Sequence, residues 1–135
     1  IGTGSGYLTA LLARMADRVY SVERIRELST RARRTLDSLG FMNVALLVGD
    51  GTIGWRKYAP YDVVVVSAAS PSVPQAYLDQ MADPGRMLIP VGTREAQDLM
   101  LVRKEGGEIT QEAVQAGCTF VPLLGRFAWK DDSGG

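Results

Sequence analysis

Gly2-Thr3-Gly4-Ser5-Gly6 places a glycine at every second position. Glycine lets a backbone turn sharply and approach a ligand with no Cβ in the way. A helix opening from such a loop offers free N–H groups, which favour a carboxylate or a phosphate. The spacing is G-x-G-x-G rather than the G-x-G-x-x-G of dinucleotide-binding turns. Taken alone, it also describes a tight strand-to-helix turn. Glu23 and Asp50 are further polar stops, each at the end of an apolar run. A carboxylate at Glu23 can accept from both hydroxyls of a ribose, each charge-assisted bond contributing about 1.5–3 kcal/mol. It would also repel a 2′-phosphate. The alternative at this position is an acid favoured by a helix N-terminus. Asp50, between Gly49 and Gly51, can accept from an exocyclic adenine amine beside space for a flat ring. The alternative there is a plain Asp-Gly turn.

These residues need elements to hold them. Ser5 to Met15 reads as a helix opening from the glycines, with Tyr7, Leu8, Leu11, Leu12 and Met15 at helical spacing. Val19–Val22 reads as a strand ending at Glu23. Residues 24–39 read as an amphipathic helix with Ile25, Leu28, Ala32, Leu36 and Leu39 on its apolar face. Glu27/Arg31 and Arg33/Asp37 pair on its wet face, and Gly40 stops it. Val44–Val48 and Asp62–Val66 are continuous apolar runs, as in strands buried on both faces. Pro74 suits the first turn of a helix reaching Met81. Pro84-Gly85 reads as a turn, Arg86–Val91 as a strand, Asp98–Lys104 as an alternating strand, Gly106-Gly107 as a turn and Cys118–Leu123 as a last strand. The expected fold is α/β: a doubly wound, mostly parallel sheet of Rossmann-like type with a C-terminal antiparallel hairpin. Only Ile1 precedes the glycine loop, so the strand that should lead into it is expected upstream and the first strand is truncated. The expected organisation is one domain over 1–129, incomplete at its N-terminus, and a frayed polar tail over 130–135.

In such a sheet ligands bind beyond the carboxyl ends of the strands. Three loops at that edge, Gly2 to Gly6, Glu23 and Asp50-Gly51, suit an adenosine with a carboxylate-bearing tail. S-adenosyl-L-methionine fits that description better than a dinucleotide. The chain has no histidine and a single cysteine, Cys118, so neither a Ser-His-Asp nor a Cys-His pair can be built, and no metal site is expected. Methyl transfer to an ionised carboxylate needs no general base. It needs two reactants placed in line, which can supply roughly 7–11 kcal/mol of the barrier. Fifteen basic and fifteen acidic residues give a formal charge of +0, without the basic excess of a nucleic-acid or anionic-membrane binder. No apolar run is long enough to span a bilayer. One cysteine excludes an internal disulfide framework and fits a reducing, cytoplasmic setting. The Arg31-Arg33-Arg34 cluster reads as a solvated helix face. Trp55 and Tyr58 read as packing beneath a loop, Cys118 as a small core residue, and Met42, Met81, Met87 and Met100 as core filler.

A wider set of motifs resembles the protein-L-isoaspartate O-methyltransferase family. Ile1-Gly2-Thr3-Gly4-Ser5-Gly6-Tyr7, Val19-Tyr20-Ser21-Val22-Glu23-Arg24-Ile25 and Gly49-Asp50-Gly51 carry the resemblance, though each also occurs in other methyltransferases. More specific are Ala59-Pro60-Tyr61-Asp62, Ala68-Ala69, Val73-Pro74, Pro84-Gly85-Arg86, Leu88-Ile89-Pro90-Val91-Gly92 and Phe120-Val121-Pro122-Leu123. The resemblance implies a repair enzyme that methylates the α-carboxylate of L-isoaspartyl residues in damaged proteins, with S-adenosyl-L-homocysteine as co-product. It implies that Gly2, Thr3, Gly4, Ser5 and Gly6 hold the methionine part, Glu23 the ribose and Asp50-Gly51 the adenine. Arg24 would flank the adenosine and Ala68-Ala69 would lie near the transferred methyl. Val121, Pro122, Leu123 and Leu124 would help line the peptide site. The family's Ser/Thr-bearing substrate loop and the acid before its first glycine would fall upstream of Ile1, so no catalytic residue is assigned. Leu124 and Trp129 stand where the family often carries polar groups. The partner expected is a damaged protein or peptide, with no nucleic acid or membrane, and a monomer is expected. Two alternatives stand beside this reading: a methyltransferase for a small-molecule or RNA acceptor, and a non-catalytic module binding NAD.

Overall fold

A computed structural model describes residues 1–130. The chain forms two compact units, one over Ile1–Gly51 and one beginning at Thr52.

The first unit is built from α1 (Tyr7–Met15), β1 (Val19–Glu23), α2 (Arg26–Ser38) and β2 (Val44–Val48). Strands β1 and β2 pair in parallel, from Val19 opposite Val44 to Glu23 opposite Val48, as a βαβ unit requires. Helix α2 buries Ser29, Ala32 and Leu36. Its expected flanks, Ile25 and Leu39, are exposed, so its apolar stripe is narrower than the sequence suggests. Its C-terminus is a Schellman motif. Gly40 takes φ 80°, its N–H donates to Asp37 O and the Phe41 N–H to Leu36 O. Ala13, Leu36 and Val44 form the core, with Ala10, Val19, Phe41 and Leu46 packed against it. Helix α1 departs from expectation in the face it buries. Thr9 and Ala13 turn inward, while Tyr7, Leu8, Leu11 and Met15 are exposed.

The second unit contains β3 (Tyr61–Val65), α3 (Gln75–Gln80), β4 (Met81–Gly92), β5 (Gln97–Glu105) and β6 (Glu108–Cys118). Strands run in the order β3-β4-β5-β6, the first pair parallel and the others antiparallel. The expected C-terminal hairpin is therefore present. Two boundaries differ. Pro84-Gly85 is not a separate turn but part of β4, because Met81 pairs with Tyr61 while Gly85 pairs with Lys104. The last strand is Glu108–Cys118, not Cys118–Leu123. Its residues are exposed along almost the whole length, so neither face carries the apolar signal by which strands are read. Nor is β3 buried on both faces, since Asp62 and Val63 are exposed. Met81, Met87, Ile89, Val102 and Tyr77 are buried in this unit. Met42, in the first unit, is 93% exposed and is not core filler. Asp131 to Gly135, most of the expected tail, lie outside the described residues. Among the described residues no helix is long and apolar enough to cross a membrane.

Candidate functional site

The parallel register of β1 and β2 brings Glu23 and Val48 to one edge, and the Gly49 N–H donates to the Glu23 carbonyl at 3.0 Å. Asp50 and Gly51 continue from that point. The glycine loop reaches the same edge, its Gly2 N–H donating to Val22 O at 2.9 Å. All three sequence-predicted stops of the first unit are therefore gathered at the carboxyl ends of its strands.

Glu23 is the organising side chain. It is only 7% exposed. Oε1 accepts the Gly4 N–H at 3.0 Å and Oε2 accepts the Ile25 N–H at 2.8 Å. One carboxylate thus fixes the middle of the glycine loop and the residue that caps α2. An ionised carboxylate offers about four lone-pair sites, so each oxygen keeps capacity for a further donor. Both functional readings of Glu23 are compatible with this geometry, because it serves the α2 N-terminus and retains acceptors.

The loop glycines have separate reasons. Gly6 caps α1 at φ 90°, and a Cβ there would sit 3.3 Å from the Ala32 Cβ, so this glycine lets α1 meet α2. Gly4 has φ 54°, and nothing lies within 4 Å of where a Cβ would stand, which leaves open space beside the loop. The space beside Gly49 is likewise open. Open space beside Gly4 and Gly49, next to a carboxylate with spare acceptors, fits an amino-acid-bearing nucleoside. Arg24 is exposed at the same edge.

Sequence reasoning missed the support under the loop. Thr3 Oγ1 lies 2.6 Å from Ser21 Oγ, and Thr9 Oγ1 lies 3.4 Å from it. All three residues are buried. The available signal was a serine inside the otherwise apolar run Val19-Tyr20-Ser21-Val22.

The second unit assembles the acceptor-side candidates. Ala68 and Ala69 are buried just beyond β3. The Ala69 N–H donates to Val121 O and the Leu123 N–H donates to Ala69 O, both at 2.7 Å. Pro122 thus bridges Ala69 in parallel. This explains the apolar stretch whose pattern suggests a strand: it is stitched to the residues after β3. Ser70 extends the contact, donating its N–H to Pro90 O and accepting from the Gly92 N–H. Leu123 is buried, Pro122 and Leu124 are half-buried, and Val121 is 70% exposed. Buried Gln80 ties down the loop before β3, accepting from the Trp55 N–H and donating to Ile53 O, each at 2.9 Å. Trp55 meets Tyr58 edge-on, with centroids 5.2 Å apart. Cys118 is half-buried, and its thiol donates to Gln97 O.

A sequence-family profile described as protein-L-isoaspartate(D-aspartate) O-methyltransferase matches residues 1–128. The chain belongs to that family. A protein named protein-L-isoaspartate O-methyltransferase 2 in Geotalea uraniireducens is 50% identical over 133 residues, which are 98% of this chain and 61% of the relative. A protein-L-isoaspartate O-methyltransferase of Geobacter metallireducens is 51% identical over 130 residues, 96% of this chain and 60% of the relative. The chain thus spans about three-fifths of the length of these curated relatives. A solved protein-L-isoaspartate O-methyltransferase structure superposes with a TM-score of 0.85 at 28% identity, over 94% of this chain and 41% of that one. These likenesses establish the Rossmann-like α/β methyltransferase fold, as the sequence predicts.

Proposed function

We propose that this chain carries the donor-binding edge and part of the acceptor wall of a protein-repair methyltransferase. The reaction is methylation of the α-carboxylate of L-isoaspartyl residues in damaged proteins or peptides. The observation that carries this reading is Glu23. A buried carboxylate with both oxygens on backbone N–H groups fixes the glycine loop at the edge where Asp50 also emerges. When bound, S-adenosyl-L-methionine supplies an electrophilic methyl group on a sulfonium.

The chain's own residues bind and orient. The Gly2 to Gly6 loop holds the methionine part of the donor, its shape set by the Gly2, Gly4 and Gly6 N–H groups bonding to Val22 O, Glu23 and Thr3 O. Glu23 accepts from ribose hydroxyls, Asp50 accepts from the adenine amine beside Gly51, and Arg24 flanks the adenosine. Ala68 lies near the transferred methyl, and fully buried Ala69 acts through its backbone bonds to Val121 and Leu123. Val121 to Leu124 form a side of the peptide groove, with Val121 projecting. An ionised acceptor carboxylate needs no proton removed, so in-line placement carries the reaction without a base from this chain. The balanced charge favours a polypeptide acceptor over RNA. We place the protein in the reducing cytoplasm and read it as a monomer.

The test uses the longest polypeptide its gene encodes, labelled donor, and matched isoaspartyl and aspartyl peptides. The expected result is a base-labile methyl ester on the isoaspartyl peptide alone. No transfer, or equal transfer to both peptides, refutes the reading.

A further inference from the structure

Gln97 opens β5 and is 2% exposed. Its side chain bonds only to backbone at two separate places. Nε2 donates to Thr93 O at 2.6 Å and to Arg94 O at 3.3 Å. Oε1 accepts the Phe120 N–H at 2.8 Å. Phe120 directly precedes Val121, whose carbonyl accepts from Ala69. The stretch that leads into the proposed peptide wall is therefore fixed on one side by Gln97 and on the other by Ala69. Two outer ties join the same partners. Thr119 Oγ1 donates to Glu95 O at 3.4 Å, and the Arg94 guanidinium lies 5.5 Å from the centroid of the Trp129 ring.

A buried amide is costly to place unless its donors and acceptor are used. Here both donor bonds and the acceptor bond go to holding the 93–96 turn and Phe120 together. A hydrocarbon of the same size would fill the space and leave the Phe120 N–H and the Thr93 carbonyl unmatched. The exposed Val121 would then be carried on a segment held by Ala69 and the outer ties, without the Gln97 bond beside it.

We propose that Gln97 is a positioning residue for the acceptor: it sets the placement of residues 120–124, and through them the affinity for the isoaspartyl peptide, without acting on the donor. This rests on the reading of Val121 to Leu124 as the peptide wall. Two variants of the longest encoded polypeptide test it. Gln97→Met keeps the volume and removes the bonds. Gln80→Met removes an equally buried glutamine whose bonds run to Ile53 and Trp55. Gln97→Met is expected to raise the peptide KM about tenfold, as a misplaced binding wall does, with kcat and donor KM each within about twofold of the unaltered protein. Gln80→Met should leave the peptide KM within about twofold. In the unaltered protein, the Phe120 amide should exchange with solvent at least about a hundredfold slower than an unprotected amide. That measurement does not depend on either variant folding. Equal peptide-KM shifts in both variants, a larger effect on the donor, or fast Phe120 exchange would overturn the role of Gln97 while the methyltransferase reading stands. Absence of transfer by the unaltered protein would instead refute that reading, and the acceptor role with it.

Discussion

At the scale of single residues, Glu23 joins what would otherwise be three independent loops. Each of its oxygens satisfies a backbone N–H that has no strand or helix partner of its own. Removing the carboxylate takes the partner from the part-buried Gly4 and Ile25 N–H groups. Glu23→Ala should therefore lower unfolding free energy by about 2–4 kcal/mol, read from urea denaturation. Gly6→Ala tests the cradle from the other side. A Cβ at φ 90° and 3.3 Å from Ala32 should cost about 1–3 kcal/mol in the same experiment. Glu23 and the glycines were legible in the sequence because chemistry at the end of an apolar run stands out by type and position. Ser21, Gln80 and Gln97 were not. A polar side chain within an apolar pattern says only that a partner exists. The partner lies 18 to 27 residues away and is fixed by packing.

At the scale of elements, local rules worked where the signal is local. Gly40 after the apolar stripe of α2 predicts the helix end, and the Schellman bonds account for it. Gly40→Ala, which must hold φ 80°, should cost about 1 kcal/mol or more, measurable as a lowered denaturation midpoint. The Arg33–Asp37 pair, legible from its spacing of four, closes at 2.8 Å, and Arg33 gains a second bond to Val44 O. The departures from expectation come from burial. Strand β6 is polar and exposed, so only its pairing with β5 defines it. Its turn is held by Asp83, which accepts the Gly106 and Gly107 N–H groups at 2.9 and 2.7 Å. Asp83→Ala should loosen that turn by about 1 kcal/mol and quicken proteolytic cutting between Glu105 and Glu108. The opposite error arises at Cys118 to Leu123, where an apolar run marks a segment bonded to Ala69 rather than a ladder strand. Tyr7, Leu8, Leu11 and Met15 indicate the right helix and the wrong face, because Thr9 and Ala13 are the residues small enough to turn inward.

At the scale of the molecule, alternating strands and helices were enough to recover the α/β class and the parallel-then-antiparallel order. The motifs from Gly2 to Leu123 were enough to recover the family. The two compact units part after Gly51, within the glycine-rich stretch Gly49-Asp50-Gly51-Thr52-Ile53-Gly54. The central claim is that the edge shared by the glycine loop, Glu23 and Asp50 holds one nucleoside with an amino-acid tail. Calorimetric titration of S-adenosyl-L-homocysteine, with NAD as the competing ligand, tests it most directly. The longest encoded polypeptide should bind S-adenosyl-L-homocysteine at one site and give no heat with NAD. Glu23→Ala and Asp50→Ala should each weaken binding by about 1–3 kcal/mol, roughly five- to 150-fold. Unchanged affinity in both variants, or tighter binding of NAD, would contradict the account.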